Sequence, residues 1–267
     1  MFSGFCPVSL FAWIWSGHHE MTTLALSSAL TSLALAGKIQ RIGATFTHLR
    51  FGLRGLWLVD CCQDISLGNA AGLCGVEVPG GQVAHFMRDS RETPSHAYDR
   101  CLGHIRDSCI DSWRAFRAAF PNKPVENGGH HNLLRELAGK LHLVEPVHFI
   151  KDAIAFLDGQ KKLARALHTL QDAFSPAHVL RDSQGRAISD IYTWDDANKH
   201  PRPEDGWPGH HTYDNPAYNE VTEVNSGCAR DATADVIACV LGSTLEPEVV
   251  FRRSLENALE RWVARSF

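Results

Sequence analysis

The chain has 267 residues, 44% hydrophobic and 21% charged, which suits a soluble globular protein with a full core in one large domain or two small ones. A net charge of −4 without long charged runs gives no basic stripe, so an extended nucleic-acid footprint is not supported, although short substrates remain open. Eight cysteines include no Cys-x-x-Cys pair, so a thiolate zinc ribbon and a thioredoxin-type motif both lack their signature, leaving buried thiols or one or two disulfides.

Residues 5–15 are apolar, but Pro7 interrupts them and no Lys or Arg precedes them, so the three-part pattern of a secretory signal is not met. No segment reaches the roughly 18 apolar residues of a membrane span. Residues 24–36 are apolar but studded with Ser and Thr, and they read as a buried helix. Apolar residues recur at three- and four-residue intervals over 20–41, 98–120, 133–142, 148–157, 161–174, 221–241 and 248–263, which predicts helices there. Alternating strand-like runs are scarce. The expected fold class is therefore all-α, a single helical domain, with a long loop at 183–216 rich in Asp, Pro, Gly and Trp. A loop of that length in a compact domain is usually functional. No internal repeat, low-complexity tract or clear interdomain linker is present.

The stretch from Ala166 to His178 carries the most chemical information. His168 and Asp172 are four apart, so on a helix they share a face and can offer an imidazole nitrogen and a carboxylate to one ion. On an unbroken helix His178 would point off that face and lie about 9 Å further along the axis. Pro176 ends or kinks the helix at the point where the chain must swing this second imidazole back, toward a neighbouring ion. The segment reads as part of a multinuclear site, against the plainer reading of helix-end polar residues bonded to backbone.

Further candidates of the same type lie elsewhere. His18 and His19 open the first long helix, and His18 is the chosen ligand. Asp64, with Asp60 in reserve, is a carboxylate in apolar surroundings that needs either a cation or several donors, unless it merely caps a turn. His85 precedes a polar loop. His210 and Asp214, inside the long loop, repeat the offset of four and can complete the ion that His178 begins, or else His210 and His211 are a solvent-facing pair. The fifteen histidines are far more than one core would use, and neutral imidazole is a common zinc ligand.

Taken in order, Trp13, His18, Asp64, His85, the His168/Asp172/His178 series and the His210/Asp214 pair resemble the ligand series of the zinc-dependent phospholipase C and single-strand nuclease superfamily. The resemblance runs from about residue 13 to residue 214, and its specific part is the motif around His168. It implies an all-helical domain enclosing two or three zinc ions. One zinc would be bound by Asp64, His85, His168 and Asp172, and a second by His178, His210 and Asp214. A third would be bound by His18 with the Asp172 carboxylate, which would then bridge two ions. His85-Phe86 and the segment 166–178 are similar to bacterial phospholipase-type members, whereas Asp214 in place of Glu and the Trp13–His18 spacing resemble the nuclease branch. Members of the family begin, after processing, with a Trp that chelates the third zinc through its free amine; Trp13 is internal. The resemblance thus implies either removal of residues 1–12 as an apolar leader, leaving 13–267 as the phosphodiesterase domain, or a defective third site.

The expected activity is phosphodiester hydrolysis by a zinc-bound hydroxide, with Asp64 as a catalytic base and no protein nucleophile. No Gly-x-Ser-x-Gly elbow or phosphate-cradling Gly-rich loop competes with that reading. The leading expectation is a secreted or exported phospholipase C acting on glycerophospholipids at a membrane surface without a transmembrane anchor, with Trp194 and Trp207 as candidate surface contacts. The alternatives are a single-strand nuclease or 3'-nucleotidase, with nucleic acid as substrate only, and a helical scaffold that keeps zinc structurally.

Overall fold

The computed structural model describes residues 18–36, 81–119, 146–182, 187–193 and 220–267. Residues 1–12, Trp13, Asp60, Asp64, the helix expected at 133–142, Trp194, Trp207, His210 and Asp214 lie outside the described residues. The described part is mostly helical, with five α-helices and a small three-stranded sheet that the all-α expectation does not include.

Helix α1, His18–Leu35, buries Met21, Thr22, Ala25, Ala29 and Leu33, a stripe at three- and four-residue spacing, and exposes most of its hydroxyl residues. Helix α2, Pro94–Ala119, starts four residues before the expected position 98. The Thr93 hydroxyl accepts the His96 amide at 3.3 Å, and Pro94 occupies the first helical position, where no amide hydrogen is needed. Its buried stripe runs through Ala97, Cys101, Ile105, Cys109, Ser112 and Phe116.

The two helices expected at 148–157 and 161–174 are one, α3, Pro146–Asp172. Gly159 does not break it, and it lets α2 come close. A Cβ at that position would lie 2.9 Å from Cδ1 of the buried Phe116 ring, and the Gly159 carbonyl accepts the Ser112 hydroxyl at 2.7 Å. From Leu163 onward nearly every residue of α3 is buried, polar ones included, because α2, α1 and Glu220–Gly242, helix α4, all pack on it. A helix enclosed on all sides can carry polar side chains only if they find partners inside. Helix α5, Glu248–Trp262, closes the core with Phe251, Leu255 and Leu259, and Phe251 stacks on Trp113 at 5.1 Å between ring centres.

Strand β1, Val179–Arg181, pairs antiparallel with β2, Ala187–Ile191, and β3, Ala264–Arg265, adds parallel to β2. The expected loop at 183–216 therefore contains a strand: its buried residues, Ile188 and Ile191, are three apart, so no alternating pattern marks it in the sequence. Cys101, Cys109 and Cys228 are free thiols. Among the described residues no helix is long and apolar enough to cross a membrane.

Candidate metal centre

Asp172 ends α3 and is 2% exposed. Its helix stops there because Pro176 disfavours helical geometry at Ser175, and the chain leaves through tight turns: Phe174 N donates to Gln171 O and Ser175 N to Asp172 O, each at 3.0 Å. The Ser175 carbonyl then accepts the amide of His178 at 3.0 Å, which returns that side chain to Asp172. Tyr192 fixes the two segments beside the carboxylate in register. Its amide donates to His178 O at 2.9 Å, and its carbonyl accepts the Arg88 amide at 3.1 Å, just beyond His85.

His85 closes a 3₁₀ turn, Gly81–His85, and Phe86 follows at φ 50°, a left-handed backbone that a bulky residue rarely adopts. That φ re-aims the chain as it leaves His85. Burial of the Phe86 ring, edge-on to Tyr98, and the bond from Met87 N to Gln82 O at 3.0 Å hold the conformation in place. The Thr169 hydroxyl on α3 also donates to Ala84 O at 2.8 Å, tying the turn to the ligand helix.

Four imidazoles converge on the Asp172 carboxylate. His18 Nε2 is 3.2 Å from Oδ1, while His85 Nδ1, His168 Nε2 and His178 Nδ1 lie 3.1, 3.2 and 3.5 Å from Oδ2. His18, His168, Asp172 and His178 are buried and His85 is nearly so. Among the described residues no Lys or Arg pairs with this carboxylate. Burial alone would push the Asp172 carboxyl up, but the surrounding imidazoles of His178, His168 and His18 outweigh it and hold the group well below the usual carboxylate range. Burial, reinforced by His18, drives His168 down to about 3, against the pull of Asp172, so its ring is the neutral form that binds metals.

The donor chemistry fits a cation. His85 Nδ1, His168 Nε2 and Asp172 Oδ2 form a triangle with edges of 3.1, 3.2 and 3.2 Å. Ligand atoms around a tetrahedral zinc, at bonds near 2.0–2.1 Å, are separated by about 3.3 Å. Neutral rings can place at most one hydrogen on each of these two nitrogens, whereas a cation could take a lone pair from all three atoms. His18 adds to this: Nδ1 lies 2.6 Å from the Gln171 side-chain oxygen and must donate to it, so in the neutral ring Nε2 turns a lone pair toward Asp172 Oδ1. The buried His18, His168 and Asp172 cluster can hold a metal ion.

In comparisons with protein-family models, with curated proteins and with solved structures, nothing matches this chain. The site therefore rests on its geometry. Of the residues singled out from sequence, His18, His85, His168, Asp172 and His178 come together at one carboxylate, whereas Asp64, His210 and Asp214 lie outside the described residues. His178 Nδ1 is 2.6 Å from the His85 carbonyl and so carries a hydrogen, which in the neutral ring leaves the lone pair on Nε2. Sequence reasoning missed Gln171, Thr22 and Thr233. A polar Gln beside Asp172, on a helix otherwise lined by Leu163, Ala166, Leu167 and Leu170, was the available signal.

Proposed function

We propose that the chain is a zinc-dependent phosphodiester hydrolase, in first place a phospholipase C that acts on glycerophospholipids at a membrane surface and works outside the cell. The observation that carries this reading is a buried carboxylate with imidazoles on both oxygens, His18 on one and His85, His168 and His178 on the other. Nitrogen and oxygen donors without thiolates suit zinc at hydrolytic sites, and a carboxylate engaged through both oxygens suits a bridge between two ions.

His85, His168 and Asp172 would hold one ion and His18 with Asp172 another, with Asp64, His178, His210 and Asp214 completing the set as the family resemblance implies. Bound zinc supplies a water acidified toward about pH 7 and positive charge for the phosphodiester oxygens. The protein residues orient that set: the Ser175 turn and the Tyr192 bridge fix His178, and the Thr169 bond fixes the His85 turn. The spacing of Trp13 from His18 and the Asp at 214 favour single-stranded nucleic acid as the second substrate class.

The test is hydrolysis of phosphatidylcholine and of single-stranded DNA by one zinc-loaded preparation, together with elemental analysis of zinc per chain. Two or three ions with lipid cleavage support the proposal, and two or three ions with DNA cleavage replace the substrate. Zinc retained without cleavage of either identifies a structural scaffold, and no zinc at all removes the reading.

A further inference from the structure

We infer that Gln171 is a positioning residue that locks His18 in the tautomer with hydrogen on Nδ1, and so reserves His18 Nε2 for a cation beside Asp172. The inference rests on the metal reading above and adds residues that the family resemblance does not supply.

The lock can be read link by link from α4 to the carboxylate. The Thr233 hydroxyl donates its single hydrogen to the Ala229 carbonyl at 2.7 Å, so toward Gln171 it can only accept. The Gln171 side-chain atom 3.3 Å from Thr233 Oγ1 is therefore the amide nitrogen, and the same nitrogen reaches Thr22 Oγ1 at 3.0 Å. With the nitrogen held between two hydroxyls, the amide oxygen must face α1, where it lies 2.6 Å from His18 Nδ1. An amide oxygen only accepts, so the imidazole hydrogen sits on Nδ1. In the neutral ring the remaining lone pair is on Nε2, 3.2 Å from Asp172 Oδ1.

Thr22, Gln171 and Thr233 are completely buried and His18 nearly so, so bulk water offers no alternative partners that would let the amide turn over. In the opposite tautomer a hydrogen on Nε2 would bond Asp172 Oδ1 and occupy the place of the cation. Removing the oxygen of Gln171 frees His18 to adopt that tautomer. Helix α4, which contributes no ligand atom among the described residues, thereby controls one that α1 contributes.

The test uses the full chain, with zinc chelated and then restored, and the variants Gln171→Met, Gln171→Glu and Thr233→Val. Long-range nitrogen–hydrogen correlation spectra of histidine-labelled, chelated protein at about pH 8, above the ordinary imidazole pKa, report the tautomer of His18 directly. Zinc affinity is measured separately by competition with a chromophoric chelator. The wild type should carry hydrogen on Nδ1. Gln171→Met should move it to Nε2 and weaken zinc about 10–100-fold, the usual effect of removing the outer partner of a metal-binding histidine. Gln171→Glu keeps an acceptor toward Nδ1 and should stay within a few-fold of wild type. Thr233→Val, which releases the amide nitrogen, should fall between them and decides the matter if Gln171→Met does not fold. Hydrogen on Nε2 in the wild type, or unchanged tautomer and zinc affinity in folded Gln171→Met and Thr233→Val, overturns the assignment. A wild type with the Nδ1 tautomer that binds no zinc overturns the metal reading, and with it the purpose of the lock, while leaving the hydrogen-bond chain established.

Discussion

Replacing Gly159 by alanine tests whether α3 is held at its observed distance from α2. In an open helix interior, alanine in place of glycine stabilises by about 1 kcal/mol, because glycine has more backbone freedom to lose. At Gly159 the added Cβ would sit 2.9 Å from Cδ1 and 3.0 Å from Cε1 of Phe116, closer than carbon atoms approach without something moving. The Phe116 ring is buried and packs on Phe156 at 5.4 Å between ring centres, so it has little room to retreat. Overpacking of this kind costs about 1–3 kcal/mol, so the net expectation is destabilisation of about 0–2 kcal/mol. Gly103 and Gly227, in α2 and α4, have nothing within 4 Å of such a Cβ, and their alanine variants should gain about 0.5–1 kcal/mol. Urea unfolding of all three variants supplies the comparison. Adding Phe116→Leu to Gly159→Ala should recover part of the loss, with a coupling of about 0.5–3 kcal/mol. If Gly159→Ala stabilises as much as Gly103→Ala, the close approach of the two helices is refuted.

Loss of the His168 imidazole in His168→Ala should abolish tight zinc binding and, with it, the rise in melting temperature that zinc gives the wild type, as read by calorimetry at equal metal excess. For the chelated protein, the His168 pKa of about 3 lies below that of the unfolded chain, near 6.5, so the unfolded state takes up protons first. Stability should therefore be full above about pH 6.5 and fall progressively toward pH 3, with Asp172 adding to the loss below about pH 4. Urea titrations at stepped pH should show this slope flattened in His168→Gln. Arg181, largely buried over the Phe174 ring at 4.1 Å, donates to the Ala173 carbonyl at the end of α3 at 2.7 and 3.2 Å. Arg181→Met should cost about 1.5–3 kcal/mol in denaturant unfolding, since it strips a charged donor from that buried carbonyl.

Local spacing made part of the centre legible. His168 and Asp172 lie one turn apart on a helix, and Pro176 forces the turn that brings His178 back; both are rules of a few residues' range, and the structure follows them. The amphipathic stripes of α2 and α5 were legible for the same reason, whereas α1, expected to be buried over 24–36, exposes Leu24 and Leu35 along with most of its hydroxyl residues. The continuity of α3 through Gly159 was not, because the compensation comes from Phe116 and Ser112 on another helix. Strand β2 was hidden inside a polar stretch, and its partners, 179–181 and 264–265, lie on either side of it in sequence, the second far away. The hydrogen-bond chain through Thr22, Gln171 and Thr233 joins residues 62 and 149 positions apart, and such partnerships leave no periodic trace in a sequence.

His18 opens the described part of the chain, and its bond to Gln171 spans 153 positions. A divalent ion shared by His18 and Asp172 would act as a staple between those distant points. By the loop-closure relation used for covalent cross-links, a tie of that span removes about 5 kcal/mol of freedom from the unfolded chain. Until α1 docks, Oδ1 of the carboxylate lacks its one imidazole and only His85, His168 and His178 stand beside Oδ2, so a truncated chain lacking α1 would capture the ion weakly. Retention of the ion would thus report that beginning and middle of the polypeptide have met.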